Sequence, residues 1–211
     1  MVKGVGLEQT VSIVDYGVGN LGSIGNMLKK LGRRSKLVSS ETEIANSACL
    51  ILPGIGAFDR GMEALQVNRL QESVLLAANA GVPILGICLG MQLLGSGSEE
   101  GKLPGLNLIP GKCIRFTPKP KIKIPHMGWN EVFWQRESLM SKGLEDCRFY
   151  FTHSFHFVCD DPLDLMGTTF HGETVAAVIQ KNNIIGAQFH PEKSHRFGMQ
   201  LLRNFLEMPP C

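Results

Sequence analysis

The sequence carries no strong charge of either sign. Its 21 lysine and arginine residues against 19 aspartates and glutamates give a formal net charge of +2 over 211 residues. A balance this close to neutral does not favour nucleic acid or an anionic membrane surface as the partner. The chain also lacks an apolar run of the roughly 18–20 residues that a membrane-spanning helix needs. We therefore expect neither a nucleic acid nor a membrane partner.

Closely paired cysteines are absent as well. The six cysteines are scattered without a C-x-x-C pair, at Cys49, Cys88, Cys113, Cys147, Cys159 and Cys211. This pattern indicates reduced thiols in a cytoplasmic protein rather than a disulfide framework, and we expect no metal and no cofactor. The first ten residues lack the apolar run of a secretory signal. We predict an N-terminal extension at residues 1–10 and a single domain at residues 11–211.

What the sequence does contain, in its first half, is an alternation of short β-rich runs and amphipathic stretches. The predicted strands are residues 11–15, 34–38, 48–52 and 82–87, and the predicted helices are residues 20–31 and, in two pieces, 58–80. This βαβα order predicts an α/β fold of three αβα layers around a mostly parallel sheet. In such sheets the functional crevice lies beyond the carboxyl ends of the strands, where Asp15, Gly54 and Cys88 should meet.

From about residue 111 the runs become shorter and are separated by turn residues. They predict strands at residues 112–116, 148–152, 155–159, 165–170, 175–180 and 184–189, followed by a helix at residues 194–208. We expect these strands to form an antiparallel portion added to the main sheet.

The stretch V-P-I-L-G-I-C-L-G-M-Q-L-L at residues 82–94 has the layout of a nucleophile elbow. In that motif a sharp strand-to-helix turn presents a reactive side chain, here Cys88 between Gly86 and Gly90. A thiol at a helix N-terminus is favoured as the thiolate. An inert cysteine packed at the end of a strand is the alternative, and the stretch alone does not decide between the two.

Two later features bear on that choice. F-H-P-E-K-S places His190 and Glu192 two residues apart, so that on an extended segment they share a face and form a base with its orienting carboxylate. P-G-I-G-A-F follows a buried strand and offers either a plain connection or backbone N–H groups aimed at an oxyanion. The His-Pro-Glu sequence favours catalysis at Cys88.

Two other motifs are weak. G-V-G-N-L-G at residues 17–22 matches a dinucleotide-binding pattern, but Asp15 and Tyr16 separate it from the strand, and Asp15 would place a carboxylate beside the phosphates. His153, His156 and Cys159 are spaced three apart, which on a continuous strand points neighbouring members to opposite faces. Neither a dinucleotide nor a metal is therefore expected.

With these residues in hand, the chain resembles the class I (triad) glutamine amidotransferases, and within them the glutaminase subunit of imidazole glycerol phosphate synthase. The matching stretches run in order from residue 11 to the C-terminus and are D-Y-G-V-G-N-L, L-P-G-I-G-A-F, G-I-C-L-G-M-Q, P-H-M-G-W-N, Y-F-T-H-S-F and Q-F-H-P-E-K-S. The elbow and H-P-E identify the class, and P-H-M-G-W-N with D-Y-G-x-G-N points to the narrower family.

The resemblance implies a role for each matching residue. Cys88 would attack the side-chain amide of L-glutamine and form a glutamyl thioester, His190 would move the proton, and Glu192 would orient His190. The implied oxyanion donors are the N–H of Leu89 and the segment Gly54, Ile55 and Gly56, with a peptide flip as one route to the second donor. The implied substrate-binding residues are Gln92, His153 and Ser154, and the implied partner-facing residues are Tyr150, Trp129 and Asn130.

The partner that the resemblance implies is a (β/α)8-barrel cyclase/synthase subunit, in a heterodimer. It would receive ammonia and make imidazole glycerol phosphate and AICAR in histidine biosynthesis. Two features depart from the family. Phe155 stands where a tyrosine is usual, and H-R-F-G-M-Q at residues 195–200 resembles a paralogous branch that amidates sugars for surface polysaccharides. That branch is the alternative. A cysteine hydrolase of another substrate class and a catalytically silent regulatory binder are weaker alternatives.

Overall fold

The computed structural model describes residues 10–209. The predicted extension at residues 1–10 therefore lies outside the described residues except for Thr10, and so does Cys211. The first half contains strands and helices in alternation: β1 (Val11–Val14), α1 (Leu21–Lys30), β2 (Ser35–Val38), α2 (Glu41–Ala45), β3 (Leu50–Leu52), α3 (Phe58–Val67), α4 (Leu70–Asn79), β4 (Ile84–Ile87) and α5 (Leu89–Leu93).

Local sequence accounts for most of these boundaries. The prediction of two helical pieces over 58–80 is confirmed, and the break falls where Arg69 takes a left-handed φ of 56° between α3 and α4. Helix α2 was not predicted. It is only five residues long, and it is held by a capping box in which Ser40 and Glu43 bond each other's backbone.

The second half is mainly β. Its elements are β5 (Gly97–Ser98), β6 (Gly111–Arg115), β7 (His126–Glu131), β8 (Phe133–Trp134), β9 (Arg148–His153), β10 (Phe155–Cys159), β11 (Leu165–Phe170), β12 (Thr174–Lys181), β13 (Ile184–Ala187) and α6 (His195–Leu206). Strands β5, β7 and β8 were not predicted, since the first and last span two residues each and β7 carries a glycine and polar residues.

The main sheet has eight strands in the order β2-β1-β3-β4-β13-β12-β11-β8. The first five are parallel and the last three are antiparallel, so the α/β prediction with an added antiparallel portion is confirmed. Two details of it were wrong. Strand β13 pairs in parallel with β4, and the predicted strands β6, β9 and β10 lie outside the main sheet, in two smaller sheets completed by β5 and β7.

Two apolar clusters cover the two faces of this sheet. One contains Phe58, Leu65 and Val74 from α3 and α4, and the other contains Leu28 from α1 and Phe205 from α6. Helices therefore lie on both sides of the strands, as the three-layer prediction requires. Among residues 10–209 no helix is long and apolar enough to cross a membrane.

The contact between α5 and strand β3 leaves no room for a side chain at Gly90. A Cβ atom there would lie 1.9 Å from the carbonyl oxygen of Leu52, and one at Gly86 would lie 2.6 Å from the carbonyl oxygen of Gly90. Both obstacles are backbone atoms, which cannot rotate away. These glycines allow the helix to start directly against the sheet.

We expect Gly90→Ala to lower the free energy of unfolding by about 3 kcal/mol or more, because the methyl group overlaps a backbone carbonyl. Urea denaturation measures this. Gly22→Ala is the matched control: Gly22 is exposed in helix α1 with nothing within 4 Å of the added methyl. That substitution should leave stability unchanged or raise it by up to about 1 kcal/mol. Equal stabilities for the two variants would contradict the packing argument.

Candidate active site

Cys88 lies at the turn between β4 and α5. Its backbone has φ 55° and ψ −110°, which is an unusual conformation for a residue with a side chain, and its N–H donates to the Ala187 carbonyl at 2.8 Å. The side chain is 7% exposed. The strained turn predicted for the nucleophile elbow is therefore present, and it presents the thiol at the carboxyl end of β4.

His190 lies beyond the end of the neighbouring strand β13. Its Nδ1 is 2.8 Å from Oε1 of Glu192, and both side chains are 2% exposed. The extended segment expected through Glu192 is wrong in part, because Pro191–Lys193 forms a short 3-10 turn. Ser194 fixes this turn by donating to the His190 carbonyl and accepting from the Tyr150 N–H.

The other ring nitrogen of His190, Nε2, is buried and has no hydrogen-bond partner within the described residues. Burial alone would lower the pKa of His190, but interactions with Cys88 and with Glu192 outweigh it and raise that pKa to about 9. Cys88 is therefore close enough to His190 to interact with its ring, although Nε2 makes no hydrogen bond within the described residues.

Both Cys88 and His190 line a pocket of about 500 Å³. The pocket brings together most of the residues singled out in the sequence, namely Ile55, Gly56, Cys88, Leu89, Gln92, His153, Ser154 and His190. Gly54 and Glu192 do not line it: Gly54 is buried beneath Ile55 and Gly56 in the same loop, and Glu192 lies behind His190. Phe155, which stands where a tyrosine is usual, also lines the pocket.

One charged residue of this pocket, Glu100, was not predicted from the sequence. Its carboxylate accepts a hydrogen bond from the Phe58 N–H at 2.9 Å, which anchors it at the start of α3. Two adjacent acidic residues in a loop form no recognisable sequence motif. Only the packing of the 96–101 segment against α3 places one of them, Glu100, in the same pocket as Cys88.

The loop from Pro53 to Gly56 is held at one end and open at the other. The Tyr16 hydroxyl donates to the Pro53 carbonyl, and a Cβ at Gly54 would lie 2.8 Å from the Gly90 nitrogen. By contrast, Ile55 is 50% exposed, and Gly56 is exposed with a φ of 99°. Any backbone rearrangement in this loop is therefore confined to the Ile55 and Gly56 peptides.

Behind the pocket runs a chain of hydrogen bonds through two histidines. His153 Nδ1 donates to the Phe155 carbonyl at 2.8 Å, and His153 Nε2 is 2.9 Å from Nδ1 of His126. Asn130 Nδ2 lies 3.1 Å from the remaining nitrogen of His126. Burial lowers the pKa of His153 to about 3 and, with repulsion from His171, that of His126 to about 4. Both rings are therefore neutral near pH 7.

This arrangement gives His153, His156 and Cys159 no shared ligand geometry. Within residues 10–209 no group of three His, Cys, Asp or Glu side chains is placed to hold a metal ion.

The three residues assigned to a partner surface separate into two sets. The Trp129 ring lies 6.3 Å from that of Tyr150 and stacks on His195 at 5.4 Å, while Lys193 lies over the Tyr150 ring. Asn130 is on the opposite face of β7, where its amide donates to the Phe170 carbonyl at 2.9 Å. It therefore does not share the surface of Trp129 and Tyr150.

Comparisons with known proteins agree with this geometry. A family model described as glutamine amidotransferase class-I matches residues 12–208. The imidazole glycerol phosphate synthase subunit HisH 2 of Pseudomonas aeruginosa is 45% identical over 94% of this chain and 99% of its own length. The subunit of the same name from Methanococcus maripaludis is 44% identical over 93% and 98%.

Solved structures share the fold at lower identity. A crystal structure of a glutamine amidotransferase has a TM-score of 0.74 at 18% identity and covers 93% of this chain and 97% of its own. The structure of PurLQS from Thermotoga maritima has a TM-score of 0.73 at 19% identity, covering 94% and 98%. The strained cysteine elbow, the His-Glu pair beside it and a family match over nearly the whole chain lead to one conclusion: this protein belongs to the class-I glutamine amidotransferases.

Proposed function

We propose that the chain is the glutaminase subunit of an imidazole glycerol phosphate synthase, and that it hydrolyses L-glutamine to glutamate and ammonia for histidine biosynthesis. The observation that carries the chemistry is the meeting of Cys88 and the His190–Glu192 pair in one pocket. The relatives from P. aeruginosa and M. maripaludis support the pathway, because each is similar to this chain over almost its full length.

Catalysis begins with a proton held between Cys88 and His190. The Glu192 carboxylate accepts from His190 Nδ1, so Nε2 is the nitrogen that receives the thiol proton. The thiolate attacks the carboxamide carbon, and the imidazolium then gives its proton to the leaving nitrogen, which departs as ammonia. Water hydrolyses the resulting glutamyl thioester with His190 acting as the base.

The negative oxygen of each tetrahedral intermediate needs N–H donors. Leu89 is the first residue of α5, so its N–H has no partner within the helix, and it lines the pocket next to Cys88. A second donor would come from the Ile55 or Gly56 peptide, the exposed end of the Pro53–Gly56 loop. Gly54 contributes by fitting against Gly90, which anchors that loop.

The pocket also suits the rest of a glutamine molecule. Glu100 supplies a carboxylate for the substrate ammonium group, and Gln92, Ser154 and His153 line the wall beside Cys88. His153 is neutral and engaged through both ring nitrogens, so we assign it to holding the wall rather than to binding substrate directly.

We assign the docking of the (β/α)8-barrel synthase subunit to the surface formed by Trp129, Tyr150, Lys193 and His195. Trp129 is 47% exposed, although a large aromatic side chain in a lone subunit would normally be covered. Two of its residues, Lys193 and His195, follow His190 and Glu192 directly in the chain. A partner seated there would receive ammonia before water protonates it.

We expect Cys88→Ala to abolish glutamine-dependent synthesis by the complex, lowering it by roughly 10⁴-fold or more, since no thioester forms. Synthesis driven by added ammonium salt should continue, because that route bypasses Cys88. Assays with both nitrogen sources measure this. Cys49→Ala is the matched control. It removes a buried thiol directly before β3, and the variant should retain both activities.

Loss of ammonia-driven synthesis in Cys88→Ala would contradict the proposed division of labour. The synthase partner itself is tested by which product accumulates. Imidazole glycerol phosphate would support the histidine pathway, whereas an amidated sugar would assign the chain to the surface-polysaccharide branch instead.

We expect Glu192→Gln and Cys88→Ala each to lower the pKa of His190 below its value of about 9, because each removes an interaction that favours the imidazolium. NMR titration of isotope-labelled histidine measures this directly. Glu72→Gln, which neutralises an exposed carboxylate on α4, should leave the His190 titration in place. An unchanged His190 pKa in both test variants would refute the triad geometry.

We expect Trp129→Ala to weaken binding of the synthase subunit by roughly 30-fold, the effect of removing a central aromatic anchor. Surface plasmon resonance or calorimetry measures this. Leu163→Ala, which truncates a side chain that is 69% exposed in the turn before β11, is the control and should bind normally. Equal binding by the two variants would place the interface elsewhere.

A further inference from the structure

One buried polar side chain beside Cys88 takes no part in the mechanism above, the carboxamide of Gln188. Gln188 is fully buried, and its backbone N–H is fixed to the Ala177 carbonyl of β12 at 2.9 Å. It precedes His190 by two residues on the segment that leaves β13. Its side-chain Nε2 lies 3.9 Å from the Cys88 sulfur, within the longer reach of hydrogen bonds to sulfur.

The hydrogen-bond chain behind the pocket fixes which end of this amide faces the sulfur. Gln92 Nε2 is 3.2 Å from the Phe155 carbonyl oxygen, and a carbonyl can only accept, so the Gln92 amide presents its nitrogen there. The same nitrogen lies 3.2 Å from Gln188, which must therefore present its oxygen to it. The Gln188 nitrogen is left to point at Cys88.

His153 secures the start of this chain. Its Nδ1 shares the Phe155 carbonyl with Gln92, and its other nitrogen bonds His126. Because both histidines are buried, they hold the Phe155 carbonyl in the orientation in which it accepts from His153 and Gln92. A flipped Gln188 would set its oxygen against the electron-rich sulfur and leave two nitrogens facing each other at Gln92.

We propose that Gln188 is a further catalytic residue, which donates its side-chain N–H to the Cys88 sulfur and so favours the thiolate over the thiol. This inference rests on Cys88 being the nucleophile of the proposed function. An N–H donor stabilises a thiolate more than a neutral thiol, because the bond to the charged atom is stronger.

A second neighbour of the sulfur makes such a donor necessary. The Thr152 carbonyl oxygen lies 4.0 Å from the sulfur, where it accepts from a thiol and repels a thiolate. Gln188 offsets that repulsion. It is a neutral group, so it acts without changing the charge of the pocket.

The test is the pH dependence of Cys88 alkylation by iodoacetamide in the full chain, with the modified peptide quantified by mass spectrometry. Gln188→Met keeps the side-chain length and removes the N–H. Alkylation of this variant near pH 7 should fall roughly 10-fold or more, and the pH of half-maximal rate should rise, while the limiting rate at high pH stays that of the wild type. Glutamine hydrolysis should lose kcat with little change in KM.

Other ionisable groups near Cys88 also shape this profile, so the comparison is made between variants that keep them all. They are His190 and Glu192 after β13, Tyr16 after β1, Glu100 in the 96–101 segment and His153 at the end of β9. Gln180→Met on β12 is the matched control, since among residues 10–209 its amide nitrogen bonds the nearby Asn182 carbonyl and not Cys88. It should alkylate as the wild type does.

A wild-type alkylation profile in Gln188→Met would overturn the proposal. If that variant does not fold, the wild-type chain still decides: the side-chain amide proton of Gln188 should shift in NMR spectra as Cys88 ionises, and a constant resonance over that range would refute the contact. Alkylation needs neither glutamine nor a partner. If the wild-type protein failed to hydrolyse glutamine, that result would therefore count against the proposed function and not against the contact between Gln188 and Cys88.

Discussion

The close approach of helix α5 to strand β3 sets the conditions for the rest of the site. Gly90 meets the Leu52 carbonyl with no space for a methyl group, and Cys88, two residues before it, takes a left-handed φ of 55° at the start of the helix. The cost of that backbone conformation, of the order of 1–3 kcal/mol, is met by the packing of the sheet around it. In return, the thiol is presented at the carboxyl end of β4 instead of being turned into the core.

The same parallel pairing that supports the elbow also places His190, the proposed base, beside Cys88. Strand β13 lies directly beside β4, with Ala187 opposite Ile87, so the residues that follow each strand emerge side by side. His190 and Gln188 arrive next to Cys88 by this register alone. Glu192 and Ser194 then stiffen the turn beyond, and the histidine keeps one nitrogen free for the thiol.

Polar groups behind the pocket form one continuous network rather than isolated pairs. It joins Asn130 and the two neutral histidines to the Phe155 carbonyl, and then passes through Gln92 and Gln188 to the sulfur. Because every member except the half-buried Asn130 is buried, each amide and ring has one orientation that satisfies its neighbours. The network gives the Cys88 sulfur a defined environment that a set of exposed side chains would not provide.

The amino-acid sequence alone was enough to predict the α/β class, the elbow at Cys88 and the pairing of His190 with Glu192. Those features depend on local patterns: alternating apolar runs, glycines at a turn, and residues two apart. Tertiary structure alone decided the rest. Glu100 reaches the pocket because its loop packs on α3, and β13 joins the parallel strands because β4 is its neighbour. Each depends on contacts between residues far apart in the chain, and no local pattern encodes those contacts.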